Sequence, residues 1–199
     1  MNCQNKLDFD RLLGIKVLLY GETNTYKTFC SAKYVQYLME DRKIDPNHIS
    51  IIEFAPKLQT IDDLKIGGKV KDYFKESKLC KYLETDEEII PPRLHAKNRK
   101  ELYSNVCHNY RQTRLVLQEF NEKPTPYLII NDISIYLHLG DKRDLIKAIE
   151  NANNVIGNAY YGKNISQKAK FARIFSLKEQ IKIKNLRKYF DKTILMEKS

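Results

Sequence analysis

Short, nearly continuous apolar runs constrain the fold of this chain more than any other feature. They cover residues 15–20, 49–54, 127–130, 155–160 and 192–197. Runs of this length are typical of strands that are buried on both faces. Stretches with helical spacing separate them, at 28–38, 98–120, 141–152 and 176–190. This alternation predicts an α/β fold, with a mostly parallel central sheet of about five strands and helices on both faces.

Residues 55–97 interrupt the alternation. They contain Gly67-Gly68, Pro91-Pro92 and only short amphipathic pieces, which predicts an irregular excursion with one or two helices. A chain of 199 residues is long enough for one domain with a sizeable core and too short for two large ones. We therefore expect a single domain over residues 1–199 with the excursion at about 55–97.

The composition excludes several classes of protein. No apolar run approaches the ~18–20 residues that a membrane-spanning helix needs, and the N-terminus (MNCQNKLDFD) is too polar for a secretory leader. These features predict a cytoplasmic protein with no membrane partner. The cysteines show no CxxC motif and no metal-ligand spacing, which predicts reduced thiols; they are Cys3, Cys30, Cys80 and Cys107.

A polar loop, residues 21–28, joins the first predicted strand to the first predicted helix. Its sequence GETNTYKT matches the Walker A pattern G-x-x-x-x-G-K-[ST] at Gly21, Lys27 and Thr28, while Tyr26 replaces the second glycine. Inward-pointing amides and a helix N-terminus would bind phosphate here. Tyr26 still supplies its N–H group, but glycine tolerates backbone torsions that tyrosine resists. The alternative is a polar turn in which Thr28 starts the helix.

On this loop and on the order of its elements, the chain resembles the P-loop NTPases of the RecA/KaiC-like group. The resemblance covers most of the chain and implies that ATP and Mg²⁺ are the cofactors. Lys27 would neutralise the β- and γ-phosphates, and the Thr28 hydroxyl would complete the Mg²⁺ shell. The cofactor-binding residues predicted from the loop are Gly21, Glu22, Thr23, Asn24, Thr25, Tyr26, Lys27, Thr28 and Phe29.

The resemblance also assigns roles at the ends of three later strands. Asp132, in YLIINDIS, matches the Walker B acid and would hold Mg²⁺ opposite Thr28; alternatively it caps the next turn. Glu53, in ISIIEFAP, would orient the attacking water as a catalytic residue. Asn158, in VIGNAYYG, would be a catalytic sensor of phosphate or water, on a strand between the P-loop and Walker B strands. A buried structural asparagine is the alternative for Asn158.

Basic residues offer further candidates for phosphate or partner binding. The run 168–173 lies where RecA/KaiC-like ATPases have a finger motif that reaches a neighbouring subunit, so the resemblance implies a homo-oligomer. The alternative for this run is a solvated basic loop. Four arginines are alternative phosphate ligands: Arg93, Arg99, Arg111 and Arg114. The chain carries a net charge of +10, concentrated in residues 163–199. That region either attracts nucleic acid or forms a solvated lysine-rich face.

Three functions follow from these features. The first is a Mg²⁺-dependent ATPase that hydrolyses ATP to ADP and phosphate. The second is a small-molecule or nucleotide kinase in which residues 55–97 form the acceptor site and lid. The third is a catalytically degenerate module for nucleic-acid binding or regulation, which Tyr26 and the basic C-terminal region favour.

Overall fold

A six-stranded parallel sheet is the centre of the computed structural model, which describes residues 7–61, 63–163 and 172–197. The described residues form eight strands, and all of them except β3 and β4 belong to this sheet. They are β1 (Lys16–Gly21), β2 (Ile49–Glu53), β3 (Gln59–Ile61), β4 (Leu64–Ile66), β5 (Lys81–Glu84), β6 (Tyr127–Asn131), β7 (Asn154–Tyr160) and β8 (Lys192–Leu195). The sheet has the order β5-β2-β6-β7-β1-β8, and every neighbouring pair is parallel. The predicted α/β fold is confirmed. Strand β7 lies between β1 and β6, as the resemblance implies.

Helices cover both faces of this sheet. They are α1 (Lys27–Gln36), α2 (Val70–Tyr73), α3 (Pro92–His95), α4 (Arg99–Glu122), α5 (Ile133–Leu137), α6 (Lys142–Asn151) and α7 (Arg173–Leu186). Alternate residues of β1 enter different apolar clusters. Leu18 and Tyr20 pack with residues of α4 to α7, whereas Val17 and Leu19 pack with residues of α1 and α2. Burial on both faces explains why β1 is continuously apolar from Val17 to Tyr20 instead of alternating with polar residues.

The segment predicted to be an irregular excursion contains more regular structure than expected. Strands β3 and β4 form an antiparallel hairpin, and β5 joins the central sheet beside β2. The sheet therefore has one strand more than the five apolar runs indicate. Strand β5 lies at the edge of the sheet, where only Leu83 of its four residues is buried. Its sequence KYLE consequently lacks the apolar run by which the inner strands were predicted.

Two predictions from composition concern membranes and cysteines. Within the described residues, none of the helices combines the length and apolar character needed to cross a bilayer. Cys80 and Cys107 are free thiols, as predicted, and Cys3 lies outside the described residues. Cys30 is disulfide-bonded, so the prediction of a reduced thiol is wrong there. The spacing of the cysteines contains no signal for that bond.

Candidate functional site

A cleft of about 570 Å³ opens at the carboxyl ends of β1, β6 and β7. The loop between β1 and α1 forms one side, and Asp132 and Asn158 extend from the other strands. The β3–β4 hairpin contributes Lys65 and Ile66. Parallel α/β sheets bind their ligands at this end of the strands. The hairpin lies in the segment predicted as irregular, so the hairpin itself was not predicted, although the kinase alternative assigned residues 55–97 to the acceptor site and lid.

Seven of the nine predicted cofactor-binding residues, Thr23 to Phe29, line this cleft. The other two lie behind it. Gly21 has a φ of +152°, and a Cβ atom added there would lie 2.3 Å from the carbonyl oxygen of Met196. The Glu22 carboxylate accepts a hydrogen bond from the N–H group of Lys163. Gly21 is therefore required by the close approach of the chain after β8, whether or not phosphate binds.

The side chain of Lys27 folds back onto its own loop. Its ammonium group donates to the carbonyl oxygens of Gly21 (3.1 Å) and Glu22, and to the Thr25 hydroxyl (3.0 Å). Burial lowers the pKa of Lys27 to about 8, although the nearby carboxylates of Asp132 and Glu22 oppose this shift. A buried cation that is bound mainly by neutral acceptors would gain energy from an anionic ligand in the cleft.

The first turn of α1 adds hydrogen-bond donors to the same cleft. The first main-chain hydrogen bond of this helix runs from the N–H group of Cys30 to the carbonyl of Tyr26 (2.8 Å). In the described part of the chain, the N–H groups of residues 27–29 have no main-chain acceptor. Together with the helix dipole, these groups favour a negatively charged ligand at this end of α1.

Tyr26 adopts the backbone conformation that the missing glycine would adopt easily. Its φ of 63° and ψ of 14° lie in the left-handed region, at a cost of about 1–2 kcal/mol for a residue with a side chain. The ring is 52% exposed and forms part of the wall of the cleft. Tyr26 thus has the left-handed conformation that a glycine at this position would favour, and it does not bury its own ring in the cleft.

Thr28 and Asp132 are the two predicted metal ligands, and both line the cleft. The Thr28 hydroxyl donates to Oδ1 of Asn131 (3.1 Å). Asp132 precedes α5, but its side chain makes no capping hydrogen bond to that helix. Its buried Oδ1 atom has no hydrogen-bond partner among the described residues. Burial raises the pKa of Asp132 to about 6, and the negative charge of Glu179 contributes to this rise.

This donor set fits Mg²⁺. A hydroxyl oxygen and a buried carboxylate oxygen without a partner are hard oxygen ligands in one cleft, and Mg²⁺ in nucleotide sites takes its remaining ligands from phosphate and water. No group of three or more His, Cys, Asp or Glu side chains suited to a metal occurs within the described ranges. The residues present therefore suit a cation that arrives with a phosphate ligand better than a metal held by protein alone.

Glu53, the predicted catalytic base, is buried behind the cleft and does not line it. Its carboxylate accepts hydrogen bonds from the amide of Asn131 (2.6 Å), the N–H groups of Val70 (2.9 Å) and Ala55 (3.2 Å), and the Tyr82 hydroxyl (2.9 Å). Burial raises the pKa of Glu53 to about 7, while these hydrogen bonds oppose the rise. Glu53 therefore connects β2 to β5, β6 and α2.

Asn131 is the residue of the site that sequence reasoning did not assign a role. Its side chain donates to Glu53 and to the carbonyl of Gly68 (3.0 Å), and it accepts from Thr28 and from the amide of Asn158 (2.7 Å). All its polar atoms are thus engaged. A polar residue at the end of an otherwise apolar strand, directly before Asp132, is the signal that could have identified it.

Asn158 lies in the wall of the cleft with both ends of its amide engaged. Its Oδ1 accepts from the N–H group of Asp132 (3.0 Å), and its Nδ2 donates to Asn131 and to the Ser31 hydroxyl (3.1 Å). These contacts agree with the alternative of a buried structural asparagine. They also place Asn158 as the residue that holds the backbone of Asp132 in its left-handed conformation, with φ of 57°.

The predicted arginines do not converge on the cleft. Arg93 is buried and paired with Glu179, whose other oxygen also contacts Nε2 of His138 (2.7 Å). Arg99, Arg111 and Arg114 are exposed on α4. Residues 168–171 of the predicted finger lie outside the described residues, and Arg173 is exposed at the start of α7. Arg93 is thus committed to a buried ion pair instead of a phosphate.

Comparison with protein-family models yields no match for this chain, and comparison with curated protein sequences yields none either. The geometry of the cleft is therefore the basis for assigning a function to this chain.

Proposed function

We propose that this chain binds ATP together with Mg²⁺ and hydrolyses it, as a P-loop ATPase of the RecA/KaiC-like type. One observation carries the proposal. One cleft brings together the partly buried ammonium group of Lys27, the first-turn N–H groups of α1 and the Oδ1 atom of Asp132. Among the described residues, these N–H groups have no main-chain acceptor and this oxygen has no hydrogen-bond partner. In a metal-bound triphosphate, the phosphate oxygens would contact Lys27 and the N–H groups, and the metal ion would contact the Asp132 carboxylate.

Each group has a distinct part in this proposal. The α1 amides and Lys27 bind the phosphate chain, with Lys27 exchanging its bonds to the loop carbonyls for bonds to phosphate oxygens. Thr28 and Asp132 would hold Mg²⁺, which neutralises phosphate charge when bound. Asn131 and Asn158 position these two residues through the hydrogen bonds described above.

A second candidate function is nucleotide-dependent regulation without turnover. Hydrolysis requires a group that orients water within hydrogen-bond reach of the phosphate. Glu53 does not line the cleft, and both of its carboxylate oxygens already accept hydrogen bonds. Asp132 is the acidic side chain among the described lining residues, and it is already assigned to Mg²⁺. This arrangement favours binding without turnover. Measurement of phosphate release separates the two functions. Formation of ADP only with an added acceptor, and without release of free phosphate, would identify the kinase alternative.

Calorimetric titration with ATP, with and without Mg²⁺, tests the binding proposal. We expect Lys27→Ala to weaken ATP binding about 10- to 100-fold, because a charge-assisted hydrogen bond contributes about 1.5–3 kcal/mol. Lys142→Ala is the matched control, since Lys142 is the first residue of α6 as Lys27 is of α1, and it is exposed. Equal affinities of the wild type and Lys27→Ala would contradict the proposal.

The predicted partners and location are proposals as well. Nucleic acid would bind the basic C-terminal region, where Arg173, Lys178 and Lys184 are exposed on α7. Such binding should weaken steeply with salt. If Lys27→Ala leaves the affinity for nucleic acid unchanged, this binding is separate from nucleotide binding.

A homo-oligomer would be detected by the mass of the protein in solution with and without ATP. We also propose that the protein acts in the cytoplasm.

A further inference from the structure

The cleft that contains Lys27 and Asp132 is not lined by polar groups alone. It carries three aromatic side chains, Tyr26, Phe29 and Tyr73, which we call the aromatic rim. The rings of Tyr26 and Phe29 are 6.5 Å apart, and those of Phe29 and Tyr73 are 5.8 Å apart; both pairs meet edge to face. One cleft thus combines buried polar and charged groups with an exposed aromatic surface.

The rim is exposed where protein packing would normally cover it. Tyr26 is 52% exposed and Tyr73 is 39% exposed. Tyr26 also occupies a left-handed backbone position, which glycine adopts without strain. Because half of its ring faces solvent, internal packing offsets little of this strain. Backbone conformations of this kind cluster at active sites and ligand-binding loops.

We propose that Tyr26 stacks against the base of the bound nucleotide and so makes the cleft selective for nucleotides over inorganic polyphosphate. This inference rests on the proposed function, because it places the triphosphate on Lys27, the residue that follows Tyr26. A nucleoside triphosphate has the same two-part character as the cleft, with a charged chain at one end and a flat aromatic ring at the other. Stacking on an aromatic side chain is favourable for every base, since each has a π face.

Stacking on Tyr26 would determine which triphosphates the cleft prefers. Stacking recognises the face of a base and does not read its edge. Tyr26 should therefore favour ATP and GTP to similar extents over tripolyphosphate, which has the charged chain and no base. Removal of the ring should lower the affinity for both nucleotides and leave the affinity for tripolyphosphate unchanged.

Titration calorimetry of the full chain with ATP and with tripolyphosphate, both with Mg²⁺, tests this inference. Tyr26→Gly removes the ring at a backbone position that glycine favours, so the variant should fold. We expect its affinity for ATP to fall about tenfold, while its affinity for tripolyphosphate stays within about twofold of the wild type. Tyr26→Phe should retain the wild-type affinity for ATP. Tyr103→Ala, which removes a 50% exposed ring on α4, should leave both affinities unchanged.

The outcomes separate this inference from the proposed function. If wild type binds tripolyphosphate as tightly as ATP, or if Tyr26→Gly weakens both ligands equally, the stacking role is wrong and the phosphate site remains. If the wild type binds neither ligand, both proposals fail. The ratio of the two wild-type affinities provides a test that does not depend on any variant.

Discussion

Replacing Glu53 by glutamine tests the cost of burying a carboxylate at the end of β2. Burial raises the pKa of this group from 4.5 to about 7. Each pH unit between the two values corresponds to about 1.4 kcal/mol. Ionisation of Glu53 therefore costs the folded state on the order of 3 kcal/mol relative to the unfolded state.

The sign of the effect follows from proton binding. Between pH 4.5 and about 7, the folded state holds the Glu53 proton while the unfolded state has released it. The contribution of Glu53 to the free energy of unfolding is thus greatest below pH 4.5, falls as the pH rises to about 7, and is constant above that. Glu53→Gln removes this contribution, because the glutamine amide does not titrate.

Urea denaturation followed by circular dichroism, from about pH 4.5 to about pH 8, measures the effect. The free energy of unfolding of the wild type minus that of Glu53→Gln should decrease by about 3 kcal/mol over this range. An exposed variant, Glu76→Gln, corrects for the loss of one negative charge at the surface. A difference that stays constant with pH would refute the reasoning, because it would mean that burial does not penalise the charged form of Glu53.

Two further predictions concern the packing around the site. Gly21→Ala should lower the free energy of unfolding by about 1–3 kcal/mol, because its Cβ would lie 2.3 Å from the carbonyl oxygen of Met196; a change below about 0.5 kcal/mol in urea denaturation would show that the main chain at Met196 moves aside at little cost. Glu179→Ala should cost about 3–5 kcal/mol by leaving the buried cation of Arg93 without its partner. Thermal denaturation checks this, and a variant as stable as the wild type would contradict a structural role for the pair.

Glu53 was predicted to act in the cleft and Asn131 was given no role, but the hydrogen bonds behind the cleft show a different arrangement. Glu53 is buried there, and Asn131 connects it to Thr28 and Asn158. The resemblance to RecA/KaiC-like ATPases gave Glu53 a catalytic role, and the cost of burying a glutamate in an apolar strand without a role or a partner supported it. The structure supplies a different purpose, since two main-chain N–H groups, Asn131 and Tyr82 donate to that carboxylate. Tyr82 lies on β5, the edge strand that the sequence did not predict. The partners of Glu53 therefore could not be named before the strand order was known.

The inner strands and the long helices could be predicted from local sequence because each has its own periodic signal. Burial on both faces gives β1, β2, β6 and β7 their largely apolar sequences, and α4 shows a clear helical spacing. The loop before α1 could also be located, since Lys27 and Thr28 follow a buried strand directly. Short edge elements such as β3, β4 and β5 have half-exposed residues and lack such a signal.

Chain segments far apart in sequence decide the rest of the site. Thr28 meets Asn131 across a separation of 103 residues, and Arg93 meets Glu179 across 86. Hydrogen bonds of this kind depend on which strands are neighbours and on the direction in which each side chain leaves its strand. The amino-acid sequence thus specifies where the strands run and which polar residues end them. The strand order determines whether such a residue faces the cleft, as Asp132 does, or is enclosed behind it, as Glu53 is.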